Sequence, residues 1–213
     1  MTTMPRTFTQ LAFHFDQRKC TGCKACQIAC KDKHDLPTGV TWRRVPEFCG
    51  GSWQVDETNN TFTPQVFTYY TSLSCNHCTN PVCVQVCPST AMRKGDNGVV
   101  SVDPAVCIGC RYCEMACPYH APQFDADKGV MTKCDFCADR IAAGQAPACV
   151  AACPSRALDY GEADELRRKY GGTADIAPLP SPDITRPNLL ITPHGEARPS
   201  GSRTGSLANP SEA

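Results

Sequence analysis

The stretch Cys107-Ile108-Gly109-Cys110-Arg111-Tyr112-Cys113-Glu114-Met115-Ala116-Cys117-Pro118 decides how this chain folds. It spaces four cysteines as C-x2-C-x2-C-x3-C and follows the last with proline. Upstream, Cys75, Cys78, Cys83 and Cys87 open with C-x2-C and close with C-x3-C-P. Further upstream, Cys20, Cys23, Cys26 and Cys30 repeat the C-x2-C-x2-C-x3-C run. Downstream come Cys134, Cys137, Cys149 and Cys153, then Pro154, with eleven residues between the second and third cysteines. Sixteen of the 17 cysteines in these 213 residues fall into the four groups, and Cys49 stands alone.

Spacing separates the chemistries open to so many thiols. A C-x2-C loop lets two thiolates reach one centre, which suits zinc and iron–sulfur alike. A third cysteine two residues later wraps the loop around three corners of a cube. The fourth sits one helical turn further on and points away from that cube. In two-cluster ferredoxins, whose run the 107–118 stretch resembles, this fourth thiolate ligates the other cluster, and the proline helps end the turn. Zinc needs a single tetrahedral set and has no use for a ligand aimed elsewhere. The spacing therefore predicts four [4Fe-4S] clusters.

The same swap predicts the ligand sets. Between groups two and three lie Gly98-Val99-Val100-Ser101-Val102 and Asp103-Pro104, a turn and short strand leading into the next loop. Residues 75–124 are expected to be a contiguous two-cluster unit. One cluster takes Cys75, Cys78, Cys83 and Cys117; the other takes Cys107, Cys110, Cys113 and Cys87. By analogy, residues 9–31 and 125–170 form a discontinuous outer unit. Its clusters take Cys20, Cys23, Cys26 with Cys153, and Cys134, Cys137, Cys149 with Cys30. The expected fold class is α+β, two ferredoxin-like units with an insertion at 32–74 and an extended tail at 171–213.

Composition excludes other classes. Lysine plus arginine and aspartate plus glutamate each number 21, so bulk charge gives no case for nucleic acid or anionic lipid. No run of 18 apolar residues is present, and the first sixteen residues lack the apolar core of a cleavable leader. A chain that meets reducing cytosol first uses cysteines for metal rather than disulfides. There is no radical-type C-x3-C-x2-C, no Walker A run, and no G-x-G-x-x-G after a strand. One-electron transfer is the chemistry left. A zinc-held interaction module and a self-sufficient iron–sulfur enzyme are the competing readings. Metal analysis discriminates the first, and activity of the isolated chain the second.

Outside the groups, Leu11 to Asp16 alternates like a strand, and residues 31–74 gather Trp42, Phe48, Trp53 and a strand-like Gln65–Thr71. Packing over the core is favoured for those aromatics, with a partner-binding face as the alternative. Gly161 to Tyr170 reads as a short surface helix whose charges run with its dipole. Residues 171–213 hold seven prolines and few aromatics, so no packed core of their own is expected. They read as a free tail or as one laid along a partner. Lys24, Arg111 and Tyr112 interrupt the cysteine groups, either as donors to a cluster or as surface residues. His77 reads as a neighbour of the ligands or an exposed residue rather than a ligand, and Cys49 as a small buried side chain.

The four groups in this order, with the expanded Cys134-Asp135-Phe136-Cys137 to Cys149-Val150-Ala151-Ala152-Cys153-Pro154, resemble the four-cluster iron–sulfur subunit of membrane-associated molybdopterin oxidoreductases. Cys20-Thr21-Gly22-Cys23-Lys24, Cys75-Asn76-His77-Cys78, Met131-Thr132-Lys133-Cys134-Asp135 and the terminal Leu207-Ala208-Asn209-Pro210 point to the dimethyl sulfoxide reductase branch. The resemblance implies a heterotrimer with a molybdopterin catalytic subunit and a membrane anchor that oxidises menaquinol. It implies electron flow from the third-group cluster, through two central clusters, to the first-group cluster. Nitrate reductase relatives carry tryptophan at the place of Cys110 and hold three irons there, so Cys110 implies four. Formate dehydrogenase relatives add a C-terminal membrane helix, which the polar tail here does not resemble. The family also implies cluster assembly in the cytoplasm, carriage by a partner's twin-arginine signal, and a peripheral place on the membrane. Related polysulfide, thiosulfate and selenate reductases are the alternative assignment.

Overall fold

Strand β1 (Leu11–Asp16) runs through the centre of the molecule with all six residues buried. Its alternation is real but has no solvent face. Leu11, Phe13 and Phe15 enter the main core, where the Phe13 ring stacks on Phe136 at 4.2 Å. Ala12 and His14 face the other way, onto the helix of 163–170: Ala12 packs against Leu166, and His14 stacks on Tyr170 at 3.7 Å. A strand covered on both faces is mostly apolar, and a small residue lets the helix approach. Its two polar side chains have partners: His14 Nε2 meets Thr192 Oγ1 at 2.9 Å, and Asp16 accepts from Arg18 Nε at 2.9 Å. The computed structural model describes residues 9–210. Residues 1–8, part of the stretch read for a leader, and 211–213 lie outside the described residues.

The cysteine groups fold as a repeated unit, a loop running into a very short helix. The first group ends on α1 (Ala25–Lys33), which carries Cys26 and Cys30. A long hairpin follows, β2 (Glu47–Asp56) with β3 (Thr61–Tyr70). Then α2 (Val82–Gln85) carries Cys83, and β4 (Met92–Lys94) pairs with β5 (Val100–Val102). Helix α3 (Tyr112–Ala116) carries Cys113, and β6 (Gln123–Asp125) pairs with β7 (Val130–Thr132). The eleven-residue expansion of the fourth group holds α4 (Ala138–Ala142), before α5 (Ala148–Ala151) brings Cys149. Strand β8 (Leu158–Glu162) and α6 (Ala163–Tyr170) close this part of the chain. Helix α1 packs on α5, and α2 packs on α3. Small sheets and few helices make a mixed α/β fold, as the sequence led one to expect.

The tail differs from both readings of it. Strand β9 (Leu189–Thr192) adds to β1 in parallel, giving the sheet order β8-β1-β9, and β10 (Gly205–Leu207) pairs with β2. Leu179, Leu189 and Ile191 are buried in the main core. Between them the tail runs along the second cysteine loop. Thr79 N donates to Arg186 O at 2.8 Å, Asn80 N to Thr185 O at 3.0 Å, and Asn188 N to Asn76 O at 3.0 Å. Prolines and small residues exclude a separate core, but they do not prevent an extended segment from completing another one. No helix among the described residues is long and apolar enough to cross a membrane.

Candidate metal centre

The C-x2-C loop that opens each cysteine group turns on the residue before its second cysteine. Gly22, His77, Gly109 and Phe136 all adopt left-handed backbone, with φ between 43° and 68°. This reversal curls each loop inward and points backbone N–H groups at sulfur. His77 N donates to Cys75 Sγ and Phe136 N to Cys134 Sγ, each at 3.4 Å. A side chain at such a φ costs roughly 1–2 kcal/mol, so His77 and Phe136 need close packing to hold it. Both are buried at 1% exposure.

Gly22 has a second reason to be glycine. A Cβ there would lie 2.4 Å from Cε1 of Tyr70. Gly22→Ala should therefore destabilise the protein by about 2–4 kcal/mol, adding strain to a forced shift of the ring. Gly195, with open space around it, should tolerate alanine to within about 0.5 kcal/mol. Denaturant unfolding of the two iron-loaded variants measures the difference.

The fourth cysteines sit in a second recurrent turn. After Cys87-Pro88, Cys117-Pro118 and Cys153-Pro154, the third residue on is again left-handed: Thr90, His120 and Arg156, at φ 55°, 50° and 52°. Proline has no N–H, so the residues beyond it supply the donors. Met92 N donates to Cys87 Sγ at 3.5 Å and Ala157 N to Cys153 Sγ at 3.3 Å. Burial pushes the Cys87 and Cys153 thiols up, but these amides with the hydroxyls of Ser89 and Ser155 bring both below the ordinary thiol range. Donors aimed at sulfur favour the negatively charged ligand.

The loops bring the sulfurs together in four gatherings, seen in which thiols bear electrostatically on one another. Cys20 feels Cys26, Cys153 and Cys23. Cys30 feels Cys149 and Cys137. Cys78 and Cys83 both feel Cys75 and Cys117. Cys113 feels Cys87, Cys107 and Cys110. The third gathering lines a cavity with Val100, Tyr119 and Lys133, and the fourth lines one with Met92, Val102 and Met131. Links also run between gatherings: Cys26 feels Cys149, and Cys134 feels both Cys30 and Cys75. Cys83 and Cys113 share the smaller buried cluster, with Cys87 and Cys107 packed against it, so the third gathering adjoins the fourth and the four follow one another in a file. Its only exposed cysteines among the described residues are Cys23 at one end and Cys110 at the other.

Burial pushes Cys30, Cys78 and Cys83 up to about 12, and Cys20 and Cys113 up to about 11, with neighbouring thiols adding to it. Thiolates crowded this closely need a cationic centre among them, and metal binding displaces their protons. The donors are all sulfur, in lined cavities with amides aimed at the ligands, which fits iron–sulfur clusters.

Three features at this centre lie outside the expectations drawn from the sequence. Arg43 is 2% exposed, donates from Nη1 to Ser72 Oγ and from Nη2 to Ser74 Oγ at 2.9 Å each, and lies 4.7 Å over the Phe13 ring. Lys133, also 2% exposed, donates from Nζ to the carbonyls of Val100 and Cys134. Neither has a carboxylate in ion-pair reach among the described residues. The third is His34, whose Nε2 lies 3.5 Å from Cys137 Sγ and 3.6 Å from an Asp135 oxygen. Lys133 directly precedes a cysteine, which was a signal; Arg43 lies in the insertion, far from any cysteine group in sequence, and gave none.

The other residues singled out in the sequence take definite places. His77 is buried rather than exposed: its Nδ1 accepts from Val100 N at 3.0 Å, which places the ring proton on Nε2. Arg111 pairs outward with Glu114 at 2.7 Å, and Tyr112 is exposed. Cys49 is half-buried on β2, opposite Ser206. Trp42 packs against the core, its Nε1 donating to Thr132 Oγ1 at 3.1 Å, whereas Trp53 is 61% exposed.

Comparison with known proteins agrees with this chemistry. Residues 66–163 match the 4Fe-4S dicluster domain. The B subunit of Escherichia coli anaerobic dimethyl sulfoxide reductase is 55% identical over 204 residues, spanning 96% of this chain and 98% of that one. The thiosulfate reductase electron transfer subunit PhsB of Salmonella typhi is 42% identical over 70% of this chain and 74% of its own length. The B subunit of Wolinella succinogenes polysulfide reductase is 36% identical over 84% of this chain and 92% of its own. Cysteines gathered for iron–sulfur clusters and likeness along almost the whole length together place the chain in the family of iron–sulfur electron-transfer subunits represented by the B subunit of anaerobic dimethyl sulfoxide reductase.

Proposed function

We propose that this chain holds four [4Fe-4S] clusters and carries electrons between two partner subunits, from the Cys110 end to the Cys23 end. The observation that carries the reading is the single file of thiols, buried in the middle and exposed at Cys23 and Cys110. Such a cluster, when bound, takes up and passes on one electron at a time. The ligand sets are those expected from the swap. Cys107, Cys110, Cys113 and Cys87 form the entry cage; Cys75, Cys78, Cys83 and Cys117 the next. Cys134, Cys137, Cys149 and Cys30 form the third along the path, and Cys20, Cys23, Cys26 and Cys153 the exit cage. Packing of α2 on α3 and of α1 on α5 supports a contiguous inner unit and a discontinuous outer one.

Surface character supports partners at both ends. Around exposed Cys110, Ile108, Tyr112 and Met115 are 66%, 54% and 71% exposed, an apolar collar with a reactive centre in its middle. This end faces a menaquinol-oxidising membrane anchor, which makes the chain a peripheral member of a membrane complex. Near the other end, the Tyr70 ring covers Gly22 and roots the β2–β3 hairpin beside the first loop. Trp53 pairs with Pro64, Val55 with Phe62 and Gly51 with Val66, so one face of the ribbon's outer half is apolar and exposed. A two-stranded ribbon of this kind is marginal alone in water. It suits a contact with the molybdopterin catalytic subunit, whose chemistry fixes the acceptor as dimethyl sulfoxide or a related oxide. The extent of likeness to the dimethyl sulfoxide reductase subunit favours this over polysulfide or thiosulfate reduction.

The Ile108→Asp, Met115→Asp variant tests the reading. It should leave the cluster spectrum intact and cut the membrane-bound fraction of the complex by about tenfold, since buried apolar contacts each supply ~1.5–3 kcal/mol. Unchanged membrane association would remove the Cys110 end as the entry face.

A further inference from the structure

Arg43 is a buried charge with no carboxylate beside it among the described residues. Taking an isolated guanidinium out of water costs several kcal/mol even after relaxation, so its counter-charge must be close. Every polar partner its guanidinium has is a neutral serine or the Ser72 carbonyl. Ser72 Oγ, which accepts from Arg43 Nη1 at 2.9 Å, lies 3.4 Å from Cys26 Sγ, and so ties the guanidinium to the first-group loop. The Phe13 ring beneath the guanidinium packs in one buried cluster with Cys26, Cys134 and Cys149. Burial works against the charge on Arg43, and the sulfurs of Cys149, Cys26, Cys134 and Cys30 hold it up. One of these belongs to the exit cage as proposed above, and three belong to its neighbour.

We propose that Arg43 is a positioning residue for electron transfer: one guanidinium shared between the exit cage and the adjacent cage, favouring the reduced form of both. The inference rests on the proposed cages. A reduced cluster carries one more negative charge than an oxidised one, so a fixed cation between two of them stabilises both reduced forms. The Nη1–Ser72–Cys26 contact and the Phe13 ring hold the charge in place, and arginine stays protonated at any working pH. A lysine lacks the planar fork that reaches Ser72 and Ser74 at once, but it retains the charge.

The test is a redox titration of the purified complex, monitored by electron paramagnetic resonance. Iron and labile sulfide in the wild type are measured first; their absence would overturn the cages themselves and is separable from any change in potential. In Arg43→Gln, at a fixed applied potential, the reduced-to-oxidised ratio should fall about tenfold for two of the clusters, about 59 mV for a one-electron couple. The others should stay in place, and Arg43→Lys should restore most of the ratio. Should Arg43→Gln lose iron, Ser74→Ala decides: it releases Nη2 while keeping the Ser72–Cys26 contact, and with full iron it should shift the same two clusters. A uniform shift of all clusters, or none with iron retained, overturns the proposal.

Discussion

Removing iron from the loaded chain should abolish its cooperative unfolding transition rather than lower it by a few degrees. The main core counts Cys26, Cys75, Cys117, Cys134, Cys149 and Cys153 among its buried residues, beside Phe13, Phe15 and Phe136. Without a metal centre these sulfurs are small thiols lining cavities. Arg43 and Lys133 then remain as buried cations without anions, at several kcal/mol each. A domain of this size has about 5–15 kcal/mol of net stability, and structural metal sites contribute on the order of 10 kcal/mol of folding free energy. Losing the clusters exceeds what the β8-β1-β9 sheet can supply. Anaerobic chelation and then thermal circular dichroism should show no cooperative melt. A sharp transition within about 10 °C of the loaded protein's would mean that the sheet and hairpins fold by themselves.

Cys110→Ser acts at one end only. Cys110 is exposed, and its loop stands outside the main core, packing in the smaller cluster around Met92, Val100 and Met131. Serine in its place should leave a three-iron form in the entry cage and the other three signals unchanged. Quinol-driven turnover should fall on the order of 100-fold, about 2.7 kcal/mol in barrier. Turnover with an artificial donor that bypasses the entry cage should fall far less. Cys23→Ser, at the opposite end, should reduce both. Uniform loss of all clusters in Cys110→Ser would show that the cages are not separable sites.

The cysteine framework is legible in the sequence because coordination chemistry leaves few options. Thiols two residues apart can share a centre, and a fourth on the next helical turn is expected to serve another. The alternation of Leu11 to Asp16 likewise identifies a strand, and the charge order of Gly161 to Tyr170 a helix, which begins at Ala163 after Gly161 and Glu162 have ended β8. The tail escapes such a reading for a physical reason. Leu189, Leu190 and Ile191 form too short an apolar run to mark a strand until β1 is there to receive it. Trp53 was expected in the core, but its place on a projecting ribbon depends on where the hairpin leaves the body, which local sequence does not encode. Arg43 gives no signal for the reason that makes it informative. A buried cation reads as a surface residue unless its counter-charge is known, and the counter-charge proposed here belongs to a cofactor.

The most direct measurement is the quantity of iron and acid-labile sulfide per chain in anaerobically purified protein. Four cages, each clamped by sulfurs from two separate segments, require about sixteen of each. About eight of each, or zinc without sulfide, would contradict the four-cage arrangement.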